Sequence, residues 1–276
     1  MTPIQNRSEL DRATKPRTQG EAAYRCLRRD IRSGKLEPER WLRLNELQEA
    51  YGFGWSPLRE ALFLLTAENL VLSEGQRGFM VAPISEEDFL DVVSLRNKLE
   101  EDAIALSCER GDDEWEAGIV SALHRVRKLP PHWEIDDPDE AEEQQRRHHA
   151  FHAALLAACP SRWTLRIWGT LQQQVERYQR IVLSTVAVPK SAQATIARHH
   201  EKIADAAIAR QPDVAIEYLR AHEDWSSQLI RKALAEKAAR QSDEESEPHD
   251  RRHRHERPAR RGRKADAERV GDPSTA

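Results

Sequence analysis

The residues from Asn45 to Ala82, NELQEAYGFGWSPLREALFLLTAENLVLSEGQRGFMVA, contain the pattern that decides the fold of the first part of the chain. The segment YGFG at 51–54 is a short turn, and it separates two stretches whose apolar residues have helical spacing. Ser56-Pro57 is typical of a helix N-terminus, because Ser caps the helix and Pro is tolerated at its first position. The helix that follows has an apolar face, formed by Leu58, Ala61, Leu62 and Leu65.

The preceding residues predict two more helices. Asn45, with Gln48 three residues later, resembles a capping pair and predicts that a helix begins at Asn45. Farther upstream, apolar residues recur at helical spacing over 20–33, and Gly34 follows, as Gly commonly does where a helix ends.

A hairpin is predicted on the other side of the opening stretch. Two short apolar runs, 70–72 and 79–82, flank the turn-forming segment SEGQRG. Helix, helix, turn, helix and hairpin within residues 20–83 is the order of a winged helix-turn-helix, whose third helix enters the major groove of DNA. The pattern alone also admits a small helical domain with no role in nucleic-acid binding.

The rest of the chain predicts an all-α domain over 85–236. Ser85, with Asp88 three residues later, begins a helix, and five more helical segments follow, which implies an antiparallel bundle. Residues 1–19 are polar, and residues 237–276 are charged with almost no large apolar side chains, so we expect both to be disordered. The fold class is therefore mainly α, with a winged helix-turn-helix before a helical bundle.

Composition narrows the class of protein. The chain is 39% hydrophobic and 33% charged, and it contains no apolar run near the roughly 18 residues that span a bilayer. Its N-terminal segment is polar and unlike a secretory signal, and its three separated cysteines fit no disulfide or zinc-ribbon pattern. We therefore expect a cytoplasmic protein with reduced thiols and no membrane partner.

The charge of the chain is unevenly distributed. The net charge of −4 does not by itself indicate nucleic acid, yet residues 251–264 carry eight Lys or Arg and one Glu. This basic run either contacts phosphates or is a solubilising end of the chain.

Four histidines carry the strongest chemical signal in the second domain. His148 and His152 are four residues apart and project from one face of a helix, a common way to present two metal ligands. His200 and His222 lie on two later helices, so that all four imidazoles can converge inside a bundle. The alternative is a set of solvated histidines without a metal.

The first domain resembles the GntR family of bacterial regulators. The family motifs correspond here to IRSGKLEP (31–38), LNEL (44–47), SPLREAL (56–62), ENLV (68–71) and RGFMV (77–81). The resemblance implies a DNA-binding transcriptional regulator in which Arg59 contacts DNA, supported by Ser56, Gln76 and Arg77. A surface salt bridge with Glu60 is the alternative role for Arg59.

Two positions depart from the family pattern. Trp55 stands where the family usually has an arginine that reads a base edge or a phosphate, and Asn45 stands where a charged contact residue is common. We retain both as DNA-contact candidates, because the indole can pack on a sugar or a thymine methyl group. Without that arginine, we expect weaker phosphate binding and an atypical operator preference.

Residues 85–236 resemble the FCD ligand-sensing domain of the FadR branch of this family. The matching segments are HHAFHAAL (148–155), HHEKIADAA (199–207) and 215–222. The resemblance implies a divalent metal ion bound by His148, His152, His200 and His222. His148 stands where the family usually has Asp, which favours Zn, Ni or Co over Mn or Mg, unless His148 does not coordinate. Surface or outer-shell roles are expected for His149 and His199.

The resemblance also implies a small carboxylate effector beside the metal, and Arg96, Arg177 and Arg180 are the candidate cationic contacts. For Arg96, an i,i+4 salt bridge with Glu100 is an equal alternative. A homodimer is expected to bind a near-palindromic site and to release it when the effector binds, as a repressor does.

Two other functions compete with this interpretation. In the first, the metal ion itself is the effector. In the second, the chain is a zinc hydrolase, which we disfavour because no H-E-x-x-H motif is present and Glu201, next to His200, is turned about 100° away on a helix. We predict that the protein is not an enzyme.

Overall fold

The computed structural model describes residues 18–128, 137–183 and 191–246, together with Pro16, Pro130 and Ile135. The first domain contains α1 (Gln19–Arg32), β1 (Trp41–Leu42), α2 (Leu44–Tyr51), α3 (Trp55–Ala67), β2 (Val71–Ser73) and β3 (Phe79–Val81). The second contains α4 (Glu86–Arg110), α5 (Asp113–Val126), α6 (Pro138–Leu155), α7 (Arg162–Leu183), α8 (Ala192–Ile208) and α9 (Pro212–Ser246). The predicted fold class, a winged helix-turn-helix before an all-helical bundle, is confirmed.

Helix α1 is fixed by a cap at its start and by burial of one face. The Thr18 hydroxyl accepts a hydrogen bond from the Glu21 backbone N–H at 3.0 Å, which satisfies one of the free donors of the first turn. Leu27 and Ile31 are completely buried. Gly34 has a φ of +79°, a conformation that is strained for residues with a side chain, and it ends the helix as predicted.

The predicted N-caps of the next two helices are each wrong by two residues. Helix α2 has Arg43 as its N-cap and α3 has Gly54, and neither residue makes a side-chain capping hydrogen bond. Asn45 and Ser56 instead lie in the first turns of these helices, with exposed side chains. Pairing of β1 with the wing and burial of Leu47 fix where the chain enters α2, so tertiary contacts replace a side-chain cap.

The predicted hairpin is present and forms the wing. Strands β2 and β3 pair antiparallel, with Val71 opposite Val81 and Ser73 opposite Phe79. Strand β1 adds to the other side of β3, giving the order β1-β3-β2. The two-residue β1 was not predicted, because so short a strand has no alternation that a sequence can reveal.

Among the described residues, the apolar side chains form three buried clusters. One lies in the first domain, where Leu27 and Ile31 of α1 pack with Leu58 and Leu62 of α3. The other two lie in the bundle: one is centred on Phe151 and its neighbours, and the other joins α4, α7 and α9. Ser85 caps α4 as predicted, because its hydroxyl accepts a hydrogen bond from the Asp88 N–H at 3.1 Å.

Helix α9 ends later than predicted. It continues to Ser246, whereas the sequence analysis placed the start of a disordered tail at 237. The segment AEKAARQ that follows the last buried residues consists of good helix formers, so the helix extends beyond the core that it packs against. The rest of the predicted tail, with its basic run, lies outside the described residues, as does most of segment 1–19. Within the described part of the chain, no helix is both long enough and apolar enough to cross a membrane.

Candidate DNA-binding surface and metal centre

A groove of about 770 Å³ runs between α2, α3 and the wing. Four of the residues predicted to contact DNA lie along it, namely Asn45, Trp55, Arg59 and Arg77. The other two, Ser56 and Gln76, do not line the groove, but both side chains are exposed beside it, at the start of α3 and in the turn of the wing. The structure therefore places all six predicted residues on one side of the domain.

Arg59 is available for an external partner. Its side chain is exposed on α3, and among the described residues no carboxylate forms an ion pair with it. The carboxylate of the neighbouring Glu60 lies over Gly20 of α1, where it occupies the space that a Cβ at that position would need. The salt bridge considered as the alternative role for Arg59 is therefore not found.

Trp55 is exposed but held in place. Its side chain is 52% exposed, and its indole N–H donates a hydrogen bond to Gln48 Oε1 on α2 at 2.8 Å. The hydrogen bond restricts the indole while its faces stay exposed. A partner that packs on the ring therefore costs little further side-chain entropy.

Arg43 lines the same groove and was missed from the sequence. Its side chain is 77% exposed, and its contact with Glu46 is long, at 3.8 Å. A surface ion pair of this kind contributes little, so it does not prevent Arg43 from meeting a phosphate. The only signal in the sequence was a basic residue directly before α2.

The four predicted metal ligands come together inside the bundle. One nitrogen from each of His148, His152, His200 and His222 lies within 4.8 Å of the other three. Donors about 2.1 Å from one ion lie roughly 3 to 4 Å apart, so the cluster is close to the dimensions of a single-ion site. His152, His200 and His222 are buried, and His148 is partly buried.

A network of charged side chains behind the cluster fixes the ring of His152. Its Nδ1 lies 2.8 Å from Glu100 Oε1, and the other oxygen of Glu100 accepts a hydrogen bond from Arg96 Nη1 at 2.7 Å. Arg96 also donates to Glu223. These four side chains are at least nine-tenths buried. The i,i+4 salt bridge predicted as one role for Arg96 is therefore present, and it supports a histidine of the cluster.

Unpartnered nitrogens remain on the rings of the cluster. His152 Nε2, His200 Nε2 and His222 Nδ1 are buried and have no hydrogen-bond partner. A buried polar atom without a partner is costly, and several of them in one cluster are typical of a site that accepts a ligand.

Two imidazoles of the cluster, those of His200 and His222, have pKa values lowered by burial and are neutral at neutral pH. Burial, followed by the charge of the neighbouring imidazoles, holds the pKa of His200 well below its usual value. Burial also lowers the pKa of His222 to about 4, against the opposing charge of Glu223. Because only a neutral imidazole has a nitrogen lone pair to offer, the cluster fits a divalent metal ion that accepts nitrogen ligands.

The two neighbouring histidines have other surroundings, as expected. His149 Nδ1 lies 2.9 Å from Glu176, outside the cluster. His199 is partly buried, and its ring stands edge-on to that of His222, with the ring centres 5.8 Å apart.

A cavity of about 100 Å³ adjoins the histidine cluster. His148, His200 and His222 line one side of it, and its remaining walls are mainly apolar, with Gln144, Gln179 and Gln193 among them. Arg127 is the one cationic side chain among the described lining residues other than the histidines, and it forms an ion pair with Glu201.

The three arginines predicted to contact an effector do not line this cavity. Arg96 is enclosed by its two carboxylates, and Arg177 donates to the backbone carbonyls of Ala82 and Pro83, between the domains. Arg180 lies 3.4 Å from Gln145 Oε1, away from the cavity. Their contact with an effector therefore stays a prediction; in this structure helix packing turns their guanidinium groups toward partners that sequence spacing does not reveal.

Each of the two domains matches a family of known proteins. The family described as "Bacterial regulatory proteins, gntR family" matches residues 19–81, and the family described as "FCD domain" matches residues 91–224. The chain is 36% identical to the HTH-type transcriptional regulator BphR of Paraburkholderia xenovorans, over 76% of this chain and 84% of that protein. It is 35% identical to the HTH-type transcriptional repressor GlaR of Escherichia coli, over 77% of this chain and 96% of that protein.

Solved structures show the same fold. E. coli McbR/YncC superposes with a TM-score of 0.62 at 16% identity, covering 78% of this chain and 98% of that chain. A GntR regulator from Rhodococcus sp. RHA1 gives a TM-score of 0.59 at 18% identity, covering 78% and 98%. The related proteins are transcriptional regulators and not enzymes. The chain therefore belongs to the GntR family of DNA-binding transcriptional regulators and carries an FCD domain after its winged helix-turn-helix.

Proposed function

We propose that this regulator is a repressor whose binding to its operator is controlled by a small carboxylate held next to a metal ion bound by histidines. The observation that carries the proposal is the set of unpartnered imidazole nitrogens of His152, His200 and His222, which lie together in one cluster. His200 and His222 also line a cavity. The first domain binds the operator, and the second responds to the effector.

The metal would be held by His148, His152, His200 and His222. Four imidazoles and no carboxylate among these ligands favour Zn or Ni over Mn or Mg. When bound, the ion would supply a positive charge that attracts the oxygens of a carboxylate.

The effector would occupy the adjoining cavity. A cavity of about 100 Å³ limits it to a small molecule, because one water needs roughly 10 to 15 Å³ of such space. The mainly apolar walls exclude water, and the lining glutamines offer hydrogen bonds to an acid of this size. Arg127 is the described side chain with a charge suited to a carboxylate.

DNA would lie along the groove of the first domain. Arg43, Arg59 and Arg77 offer charges to the phosphates, and Trp55 offers an aromatic face to a sugar or a thymine methyl group. Two copies of the chain, as a homodimer, would place two α3 helices in successive turns of a near-palindromic site. A cytoplasmic location follows from this function, because bacterial DNA lies there.

A second candidate function is a metal-responsive regulator, in which the ion itself is the effector. The observation in its favour is that His148 joins the cluster, so that all four ligands are imidazoles.

One titration tests the proposal and separates the two candidates. An operator is selected from random DNA duplexes with the full-length protein, and its binding is followed by fluorescence anisotropy. Zn²⁺ or Ni²⁺ is added first, and a panel of small carboxylic acids is then added to the metal-loaded protein. Release of the operator by one acid, lost in His200→Ala, supports the proposed function. A response to metal that no acid changes supports the metal-responsive alternative, and no response to either contradicts both.

A further inference from the structure

The two domains meet through polar side chains. Each of the three buried apolar clusters is confined to one domain, and none joins α1, α2 or α3 to the bundle among the described residues. Interfaces of this kind between domains favour changes in relative position, because little apolar surface resists them. The polar contacts between the domains therefore determine how the first domain docks.

Helix α7 provides the bundle side of this interface. Gln173 accepts a hydrogen bond from Arg28 of α1 at 2.9 Å, and Gln174 donates to the carbonyl of Glu68 at 2.7 Å. Arg177 donates to the carbonyls of the segment that links the domains. One turn of α7 thus contacts the end of α3, helix α1 and the linker.

Glu176 of the same turn differs from these residues because it contacts two helices. Its Oε2 accepts a hydrogen bond from Arg32 Nη2 of α1 at 2.8 Å, and its Oε1 lies 2.9 Å from His149 Nδ1 of α6. The carboxylate is 4% exposed, and the guanidinium is 13% exposed. We call Arg32, Glu176 and His149 the interdomain triad.

The triad ends next to the histidine cluster on one side and on α1 of the DNA-binding domain on the other. His149 directly follows His148, one of the proposed metal ligands, on α6. Arg32 lies in the last turn of α1, whose residues Leu27 and Ile31 pack with Leu58 and Leu62 of α3. Two contacts of the Glu176 carboxylate therefore connect α6, which carries His148 and His152, to α1, which packs against α3.

The Glu176 carboxylate is charged and depends on its partners. Burial alone would raise the pKa of Glu176, but its hydrogen bond with His149 and the charge of Arg32 hold it below its usual value. A buried carboxylate that loses a partner must find another or accept a large penalty. A displacement of α6 or of α1 therefore changes the stability of the contact on the other side.

We propose that Glu176 is a positioning residue that couples occupancy of the histidine cluster to the docking of the DNA-binding domain, through Arg32 on one side and His149 on the other. The inference rests on the proposed function in that it takes the cluster to bind metal. Glu176 contacts His149, the residue next to His148, and Arg32 contacts Glu176, so a shift at one end of the interdomain triad changes the contacts at the other end. By linkage, loss of the contact in the DNA-binding domain weakens metal binding in the bundle.

The test measures the affinity of full-length variants for Zn²⁺ by competition with a chromophoric chelator. Arg32→Ala changes a residue of the DNA-binding domain, and Glu176→Gln removes the charge in the bundle. Each is expected to raise the Kd for Zn²⁺ by about 2- to 30-fold, the range found for residues that couple two sites. The double variant is expected to bind Zn²⁺ as well as the single variant with the higher Kd, because both changes remove the same contact.

The matched control is Arg29→Ala. Arg29 is also in the last turn of α1, is half exposed and forms an ion pair with Asp30 of its own helix. Its replacement by Ala removes one positive charge, as Arg32→Ala does, but leaves the interdomain triad intact. Its Kd for Zn²⁺ is expected to stay within about twofold of wild type, since surface changes away from a network couple weakly. Circular dichroism of each variant shows whether it is folded.

Three outcomes are distinguished. Weaker Zn²⁺ binding in Arg32→Ala, but not in the control, supports the coupling. Equal Zn²⁺ binding in wild type, Arg32→Ala and Glu176→Gln overturns the coupling and leaves the metal site intact. Absence of Zn²⁺ binding by the wild-type protein refutes the metal site itself, and the coupling with it.

Discussion

The substitution Glu100→Gln tests how the buried network prepares His152 for a metal. In the wild type, the carboxylate accepts from Arg96 through one oxygen and from His152 Nδ1 through the other, and Nε2 has no partner. With the proton of the neutral ring on Nδ1, the lone pair is on Nε2. A guanidinium has only donors, so a glutamine must turn its oxygen toward Arg96 and its NH₂ toward His152. Nδ1 must then accept a hydrogen bond, and the proton moves to Nε2, where it blocks the lone pair needed for a metal.

The expected loss of metal affinity follows from the contact of Glu100 with His152, a proposed metal ligand. Changes to residues that orient a metal-binding histidine typically cost 10- to 100-fold in metal affinity, or about 1.4 to 2.8 kcal/mol. The upper half of this range is expected here, because the hydrogen bond is buried and the exchange also removes a charge that compensates Arg96.

The assay is a competition titration of the full-length protein with Zn²⁺ and a chromophoric chelator. Glu101→Gln is the matched control, because Glu101 is the next residue of α4 and pairs with Arg220 at the surface. We expect the control to bind Zn²⁺ like the wild type and Glu100→Gln to bind at least tenfold more weakly. A folded Glu100→Gln protein whose Kd lies within about twofold of the wild type would refute the tautomer argument, because such a change is far below the range expected for a ligand partner.

Three further predictions concern the first domain. Arg59→Ala is expected to weaken operator binding and to reduce the slope of log K against log salt by about 0.9, the value for one phosphate contact; an unchanged slope and affinity would place Arg59 outside the interface. Trp55→Arg is expected to tighten binding and to steepen the same slope by about 0.9, and weaker binding would indicate that the indole itself contacts DNA. Asp30 accepts hydrogen bonds from Lys35 Nζ and the Tyr51 hydroxyl, each at 2.7 Å, and these bonds outweigh its burial and lower its pKa. A carboxyl with a lowered pKa stabilises the folded state above its unfolded pKa of 3.8 and loses this contribution as the pH falls. Asp30→Asn is therefore expected to cost about 1 to 3 kcal/mol in urea unfolding at pH 7 and less at pH 3; an equal cost at both values would contradict the assignment.

Local patterns in the sequence predicted the helices and most of the positions at which they begin and end. The spacing of apolar residues located α1, α3 and the helices of the bundle, because a helix repeats every 3.6 residues whatever it packs against. The same rule placed His148 and His152 on one face of α6. Where the start of a helix depends on a distant strand, as at Arg43 before α2, the local rule named the wrong cap.

The sequence by itself determined that this chain is a winged helix-turn-helix followed by a helical bundle, and that four histidines are available to meet. Spacing along one helix, capping residues and family motifs are local, so they can be read without knowing how helices cross. Only the tertiary structure decided which partner each buried charge finds. Arg96 meets Glu223 across 127 residues of sequence, Glu176 meets Arg32 across 144, and Arg177 turns to the linker instead of the cavity. These choices depend on the angles and distances at which helices pack, and no spacing within a single helix encodes them.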